Sequence, residues 1–115
     1  MAQSKVFRGT ARQIVRKSDE TLYCYHKTAV VSVKLNGDIV LNSGGWRTVT
    51  TKLAMNQVAS QTQHPFAVWQ EKGEWFVTWG DAAYEFEDHM LLKADGSVVN
   101  VCGVSKQPIK EKANA

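Results

Sequence analysis

The chain is poor in everything that fixes a structure or a reaction by strong local bonds. Of its 115 residues two are cysteine and two are proline. Cys24 and Cys102 lie far apart and neither belongs to a CxxC pair. That argues against a disulfide scaffold and against a tight zinc-ligand set. A bond between them is geometrically open but disfavoured in a reducing compartment, so two reduced, mostly buried thiols in strand-like runs are expected. No apolar run approaches the ~18 residues of a membrane helix. The polar start Met1-Ala2-Gln3-Ser4-Lys5 lacks the apolar segment of a signal peptide. The chain is expected in the cytoplasm with no membrane partner. Acidic residues are missing from residues 1–17, which carry Lys5, Arg8, Arg12, Arg16 and Lys17. There is no internal repeat and no low-complexity block. The net charge is only +3, short of the uniform basicity of a nucleic-acid coat.

What is present is strand material punctuated by turn dipeptides. Residues 21–26 and 28–34 are rich in β-branched and aromatic side chains. Asn36-Gly37 then closes a hairpin with 38–42, where Ile39 and Leu41 share a face. Ser43-Gly44-Gly45 stops that strand. Thr50 or Thr51 can cap a helix over residues 51–61, with Leu53, Met55, Val58 and Ala54 on its apolar side and Lys52, Asn56, Gln57 and Gln63 on a polar outer face. His64-Pro65 is the next break, His64 helping to end the helix through its last carbonyls. Residues 66–70 and 74–79 form a second hairpin dense in tryptophan. Residues 82–88 read as strand because Tyr84 and Phe86 alternate with acids, against a helix that Ala82-Ala83 and Leu91-Leu92 would suit. Asp95-Gly96 turns 90–93 into 97–102. The expected architecture is α+β: an antiparallel sheet of about five to six strands built from hairpins, with one main helix packed on one face. At this length one domain is expected, over residues 21–104. A basic arm or first strand (1–20) precedes it and a flexible tail (105–115) follows.

Three groups of residues can carry function. The corner Gly44, Gly45, Trp46, Arg47, with Thr50, Thr51 and Lys52, joins flexible amides, a helix N-terminus and two cations, a combination that suits a phosphate or carboxylate. A tight turn, a cap and a core plug account for the same residues without a ligand, and the glycine spacing is not that of a Walker loop. Arg8, Arg12 and Arg16 can contact a polyanion or simply be a solvated face. Trp75 and Trp79 share one face of their strand with Val77 while Phe76 and Thr78 take the other. One face must be core, and aromatics on the uncovered face would mark a partner. Cys24 and His26, two apart on a strand, would share a face, yet no further ligands or nucleophile partners stand at matching spacing. Glu85, Glu87 and Asp88 form an acidic knot without a second cluster to complete a cation site. The sequence calls for no cofactor and no metal.

The run LNSGGWRTVTTKLAMNQ (residues 41–57) is preceded by His26-Lys27-Thr28-Ala29-Val30 and followed by Val68-Trp69-Gln70 and Glu74-Trp75-Phe76-Val77. Together these pieces resemble small proteins encoded in tailed-bacteriophage genomes, departing at Asp88-His89, where an Asp-Gly pair would stand before the methionine. The resemblance implies a viral setting and brings no activity with it. With no catalytic constellation in view, the leading expectation is a small binding protein that modulates or inhibits a host protein or a defence complex, CRISPR systems included. A nucleic-acid-binding module using the N-terminal arginines and the GGWRT turn is the second. A nucleotide or anion binder, or a small enzyme centred on that turn, is the third.

Overall fold

The computed structural model describes residues 11–45 and 47–109. Strands β1 (Arg12–Arg16), β2 (Glu20–Tyr25), β3 (Thr28–Lys34) and β4 (Ile39–Leu41) lead into helix α1 (Val49–Thr62). Then come β5 (Phe66–Glu71), β6 (Glu74–Trp79), β7 (Ala82–Glu85), β8 (Met90–Leu92) and β9 (Val98–Val99). All pairings are antiparallel. They divide into a six-stranded sheet of order β1-β2-β3-β4-β8-β9 and a three-stranded sheet of order β5-β6-β7. The α+β class and, among the described residues, one helix are as the sequence implied. The strands number more than five or six and form two sheets, because the hairpin β5-β6 extends to β7 and not to β4. β4 instead pairs β8, Ile39 opposite Leu92 and Leu41 opposite Met90.

The period-two pattern decides what each sheet buries. Tyr23, Val31, Leu41 and Met90 share one face of the large sheet, joined by Ile39, Leu92 and Val98, all nearly inaccessible. Phe66, Val68, Trp75, Val77, Trp79 and Tyr84 form the inner face of the small one. Ala54, Met55, Val58 and Ala59 of α1 complete one continuous core. Burying that many aliphatic and aromatic side chains, at about 1.5–3 kcal/mol each before entropy is subtracted, is what a chain without disulfides must rely on.

The helix begins earlier than its apolar pattern suggested. Thr48, and neither Thr50 nor Thr51, is the N-cap: its backbone is extended and its Oγ1 accepts from the Thr51 amide at 3.2 Å. Thr51 is instead 1% exposed, its hydroxyl 2.9 Å from that of Thr48. The expected polar outer face is also corrected. Gln57 is buried, and its Oε1 accepts from the Arg12 Nε at 2.9 Å. Asn56 turns inward to the edge of β5, its Nδ2 donating to the Val68 carbonyl (3.0 Å) and its Oδ1 accepting the Val68 amide (2.9 Å). An amide side chain is thus used as a short extra strand that satisfies an edge. Leu53, placed on the apolar side by the pattern, is 38% exposed. The helix ends on Gln63 in the left-handed region, and the His64 amide donates to the Ala59 carbonyl at 3.0 Å. Residues 105–109 run back against the sheets: the Lys106 amide donates to Val98, and the Ile109 amide to the Ala83 carbonyl on the free side of β7.

Candidate functional site

The double-glycine corner is built from three segments distant in sequence. Ser43 lies two residues past β4 with no exposed surface, and one carboxylate oxygen of Asp88 accepts both its amide (2.8 Å) and its hydroxyl (2.7 Å). The Gly44 amide donates to the Asn42 side chain at 3.0 Å and the Gly45 amide to the Ser43 hydroxyl at 3.1 Å. Both glycines are left-handed, at φ 67° and 86°. Gly44 also lies so close to β3 that an added Cβ would stand 2.4 Å from the Thr28 Oγ1. Two of the pieces that carry the phage resemblance, His26–Val30 and the LNSGGW run, therefore meet at Thr28 and Gly44.

The cations of the corner lie against neighbouring side chains, Arg47 staying exposed and Lys52 half-buried. Arg47 donates from Nε to the Ser43 hydroxyl at 3.3 Å, and its guanidinium lies 5.3 Å from the Trp75 ring and 4.9 Å from that of Phe86. Lys52 lies 5.7 Å from the Trp75 ring and donates to the Gln70 side chain at 3.0 Å. Turn amides, cap and cations thus have internal partners, and the Asp88 carboxylate sits beneath them where an anion would want positive charge. Trp46 lies outside the described residues. Beside the corner a groove of about 650 Å³ opens between the β2–β3 turn and the start of α1. Tyr25, His26 and Lys27 line one wall, Ser43, Thr48, Thr50 and Thr51 the other.

The remaining candidates separate. Arg8 lies outside the described residues. Arg12 bonds Gln57 and stacks 5.0 Å from the Tyr25 ring, joining β1 to the helix. Arg16 is exposed at the end of β1, which has one neighbour among the described strands. Charged side chains on such an edge discourage further strand pairing. Trp75 and Trp79 are 3% and 6% exposed, so both are core. Trp79 donates to the Lys93 carbonyl at 2.9 Å, and Trp75 meets Phe86 edge-on at 5.3 Å. The aromatics of the uncovered face are Phe76 and its cross-strand partner Trp69, both half-buried.

Cys24 is half-buried, which pushes its thiol pKa up; Cys102 is exposed in a turn rather than buried in a strand. His26 occupies the hairpin turn with φ 59°, so it does not continue the strand alternation of Cys24. The acidic knot splits: Glu87 pairs with Lys106 at 2.8 Å, Asp88 holds Ser43, and Glu85 stays exposed. Among the described residues no three His, Cys, Asp or Glu side chains gather as metal ligands, and no helix is long and apolar enough to cross a membrane.

One feature escaped the sequence reading. On the face of the large sheet away from the core, Val15, Leu22, Ser32, Val40, Leu91 and Val99 stand in register, one per strand across all six strands. All six are half-buried and none belongs to the core cluster. Alternation within each strand foretold two faces, but the row itself needs the pairing of β4 with β8, which no local pattern encodes.

Comparison with curated proteins and with solved structures returned no match. Residues 2–94 match the family model described as Kyanoviridae Gp96 protein. That span takes in the corner, the helix and both sheets as far as β8, and by it the chain belongs to the Kyanoviridae Gp96 protein family, a family of phage proteins.

Proposed function

We propose that this phage protein is a small non-enzymatic binding module that attaches to a host protein or complex in the bacterial cytoplasm and modulates or inhibits it. The observation that carries the reading is the aliphatic row Val15, Leu22, Val40, Leu91 and Val99 on the outer face of the six-stranded sheet. Five branched side chains in register over six strands spaced about 4.8 Å apart, with Ser32 of β3 the one polar member, make a largely apolar row about 24 Å long. A stripe of that kind on the outside of a domain marks a protein contact. Membership of a phage family supplies the setting in which a host component is the partner.

The test is affinity capture from host lysate with the wild type beside Val40→Lys and Leu91→Lys. Both substitutions stand on the outer face, and the variants are first shown by circular dichroism to melt within a few degrees of the wild type. A host protein recovered by the wild type and lost from both variants supports the reading. Recovery unchanged in the variants refutes it. So does a dimer in sedimentation that Val40→Lys dissolves, because the row would then close on a second copy.

A second reading, an anionic small ligand, rests on the groove beside the corner, whose volume of about 650 Å³ falls in the range of ligand pockets, roughly 300–1,000 Å³. Lys27 and the Thr48 and Thr50 hydroxyls are the groups that would hold it. A nucleotide that raises the melting midpoint of the wild type but not of Lys27→Ala supports this reading. No shift with any nucleotide at millimolar concentration refutes it.

A further inference from the structure

The small sheet has an outer face of different chemistry. Alternation along β5, β6 and β7 puts Phe66, Val68, Trp75, Val77, Trp79 and Tyr84 inside, and Trp69, Glu71, Glu74, Phe76 and Glu85 outside. Trp69 and Phe76 are directly opposed across the strands, their rings 5.7 Å apart and inclined by 32°. Glu71 is directly opposed to Glu74 at one end of this pair, and Glu85 is directly opposed to Phe76 on its other side. Residues 66–85 hold four carboxylates, Glu71, Glu74, Asp81 and Glu85, against the one cation Lys72, in a chain whose net charge is +3.

Like charges facing one another across two strands weaken the hairpin that carries them. Among the described residues the ion pairs are Lys34–Glu20 and Lys106–Glu87, so Glu71, Glu74 and Glu85 are left without a counter-ion. The nearest basic side chain on the helix, Lys52, is spent on Gln70 and the Trp75 ring. An aromatic pair offers its negative π-face to a cation, and the surrounding carboxylates add charge of the same sign. The combination attracts a positive group and repels acids and nucleic acid.

We propose that this face docks an arginine- or lysine-bearing segment of another protein, its cationic side chain seated on the Trp69–Phe76 pair and its charge met by Glu71, Glu74 and Glu85. The surface is separate from the aliphatic row, so the two proposals stand or fall independently.

The probe is a synthetic peptide of alternating arginine and valine, with a version carrying glutamate for every arginine as control. Both are titrated into the full chain labelled with ¹⁵N, and the Trp69 indole resonance is followed. The arginine peptide is expected to shift that resonance in a saturable way and the glutamate version to leave it in place. Glu71→Gln with Glu74→Gln should weaken binding at least tenfold. It should also leave the melting midpoint unchanged or raised, since the repulsion between the two carboxylates is gone, so weak binding cannot be ascribed to unfolding. Trp69→Leu should weaken it about fivefold. Equal binding of the two peptides, no binding of the arginine peptide, or shifts confined to the groove by α1 would each overturn the proposal. Self-association of the unliganded chain that Glu74→Lys abolishes would do so too, because the occupant would be a second copy.

Discussion

Gly44→Ala is the sharpest probe of how the corner is held, because its neighbour Gly45 supplies an internal control. Both glycines have left-handed backbones, so an alanine at either costs about 1–2 kcal/mol from the backbone alone. Only at Gly44 is there also no room: its new Cβ would lie 2.4 Å from Oγ1, 2.8 Å from Cγ2 and 3.1 Å from Cβ of Thr28, whereas nothing lies within 4 Å of a Cβ at Gly45. Rotating Thr28 moves the first two atoms but not the third, so β3 or the corner must shift as well, at about 1–3 kcal/mol. Gly45→Ala is thus expected to cost about 1–2 kcal/mol and Gly44→Ala about 2–5 kcal/mol. In urea unfolding followed by tryptophan fluorescence, with a slope of about 1–3 kcal/mol per molar, the two midpoints separate by about 1 M. Thr28→Ala in the Gly44→Ala background removes the two closest atoms and should return about 1–2 kcal/mol that Thr28→Ala alone does not provide. Equal costs at the two glycines, or no recovery from Thr28→Ala, would show that Gly44 is not held against β3.

Three further outcomes follow from the same contacts. Asp88→Ala should cost about 2–3 kcal/mol by leaving the buried Ser43 amide and hydroxyl without an acceptor, while Asp88→Asn, which keeps an oxygen, should recover most of it in thermal melts. Asn56→Ala should strip both hydrogen bonds from the Val68 backbone, and hydrogen exchange at the Val68 amide should quicken at least tenfold, as loss of a part-buried bond of about 1.5 kcal/mol requires. Burial lowers the pKa of His64, so the folded state binds its proton less readily than the unfolded chain. The stability this contributes is present above the unfolded value near 6.5 and is lost as pH falls through the lower folded value. The melting midpoint should drop between pH 7 and 5 by more in the wild type than in His64→Gln, and equal drops would discount the histidine.

The parts legible in the sequence are those fixed by neighbours in the chain. Asn36-Gly37 and Asp95-Gly96 each close a hairpin with one glycine at positive φ, and the amides of Lys34 and Lys93 reach across to Asp38 and Ser97 in the same way. The core strands follow from alternation. What escaped depends on partners far along the chain. Asn56 and Gln57 look like solvent-facing helix residues until Val68 and Arg12 are brought to them. The Asp88 of an acidic run becomes an anchor only when Ser43 is placed beside it. Three threonines at 48, 50 and 51 compete for one cap, and tertiary packing selects Thr48 by burying Thr51. Nor does the glycine pair itself announce that short polar side chains supply local acceptors for its amides, as Asn42 and Ser43 do here.

How the small sheet can meet a partner is constrained by its edges. A three-stranded sheet commonly binds by adding a strand, which needs a row of free main-chain donors and acceptors. On the β5 edge Asn56 takes both main-chain groups of Val68, and on the β7 edge the Ile109 amide takes the Ala83 carbonyl. Both edges are interrupted at their middles, and a guest strand would have to break those bonds before making its own. Among the described residues no such bond obstructs the outer face: its side chains already stand clear of the core, and Trp69 and Phe76 are held against each other by the hairpin register. Recognition there should therefore depend on side chains, fall steeply with salt where the carboxylates take part, and tolerate a guest of any backbone conformation. A helical and an extended peptide with the same spatial display of arginines should bind alike. A marked preference for the extended one would mean that an edge opens after all.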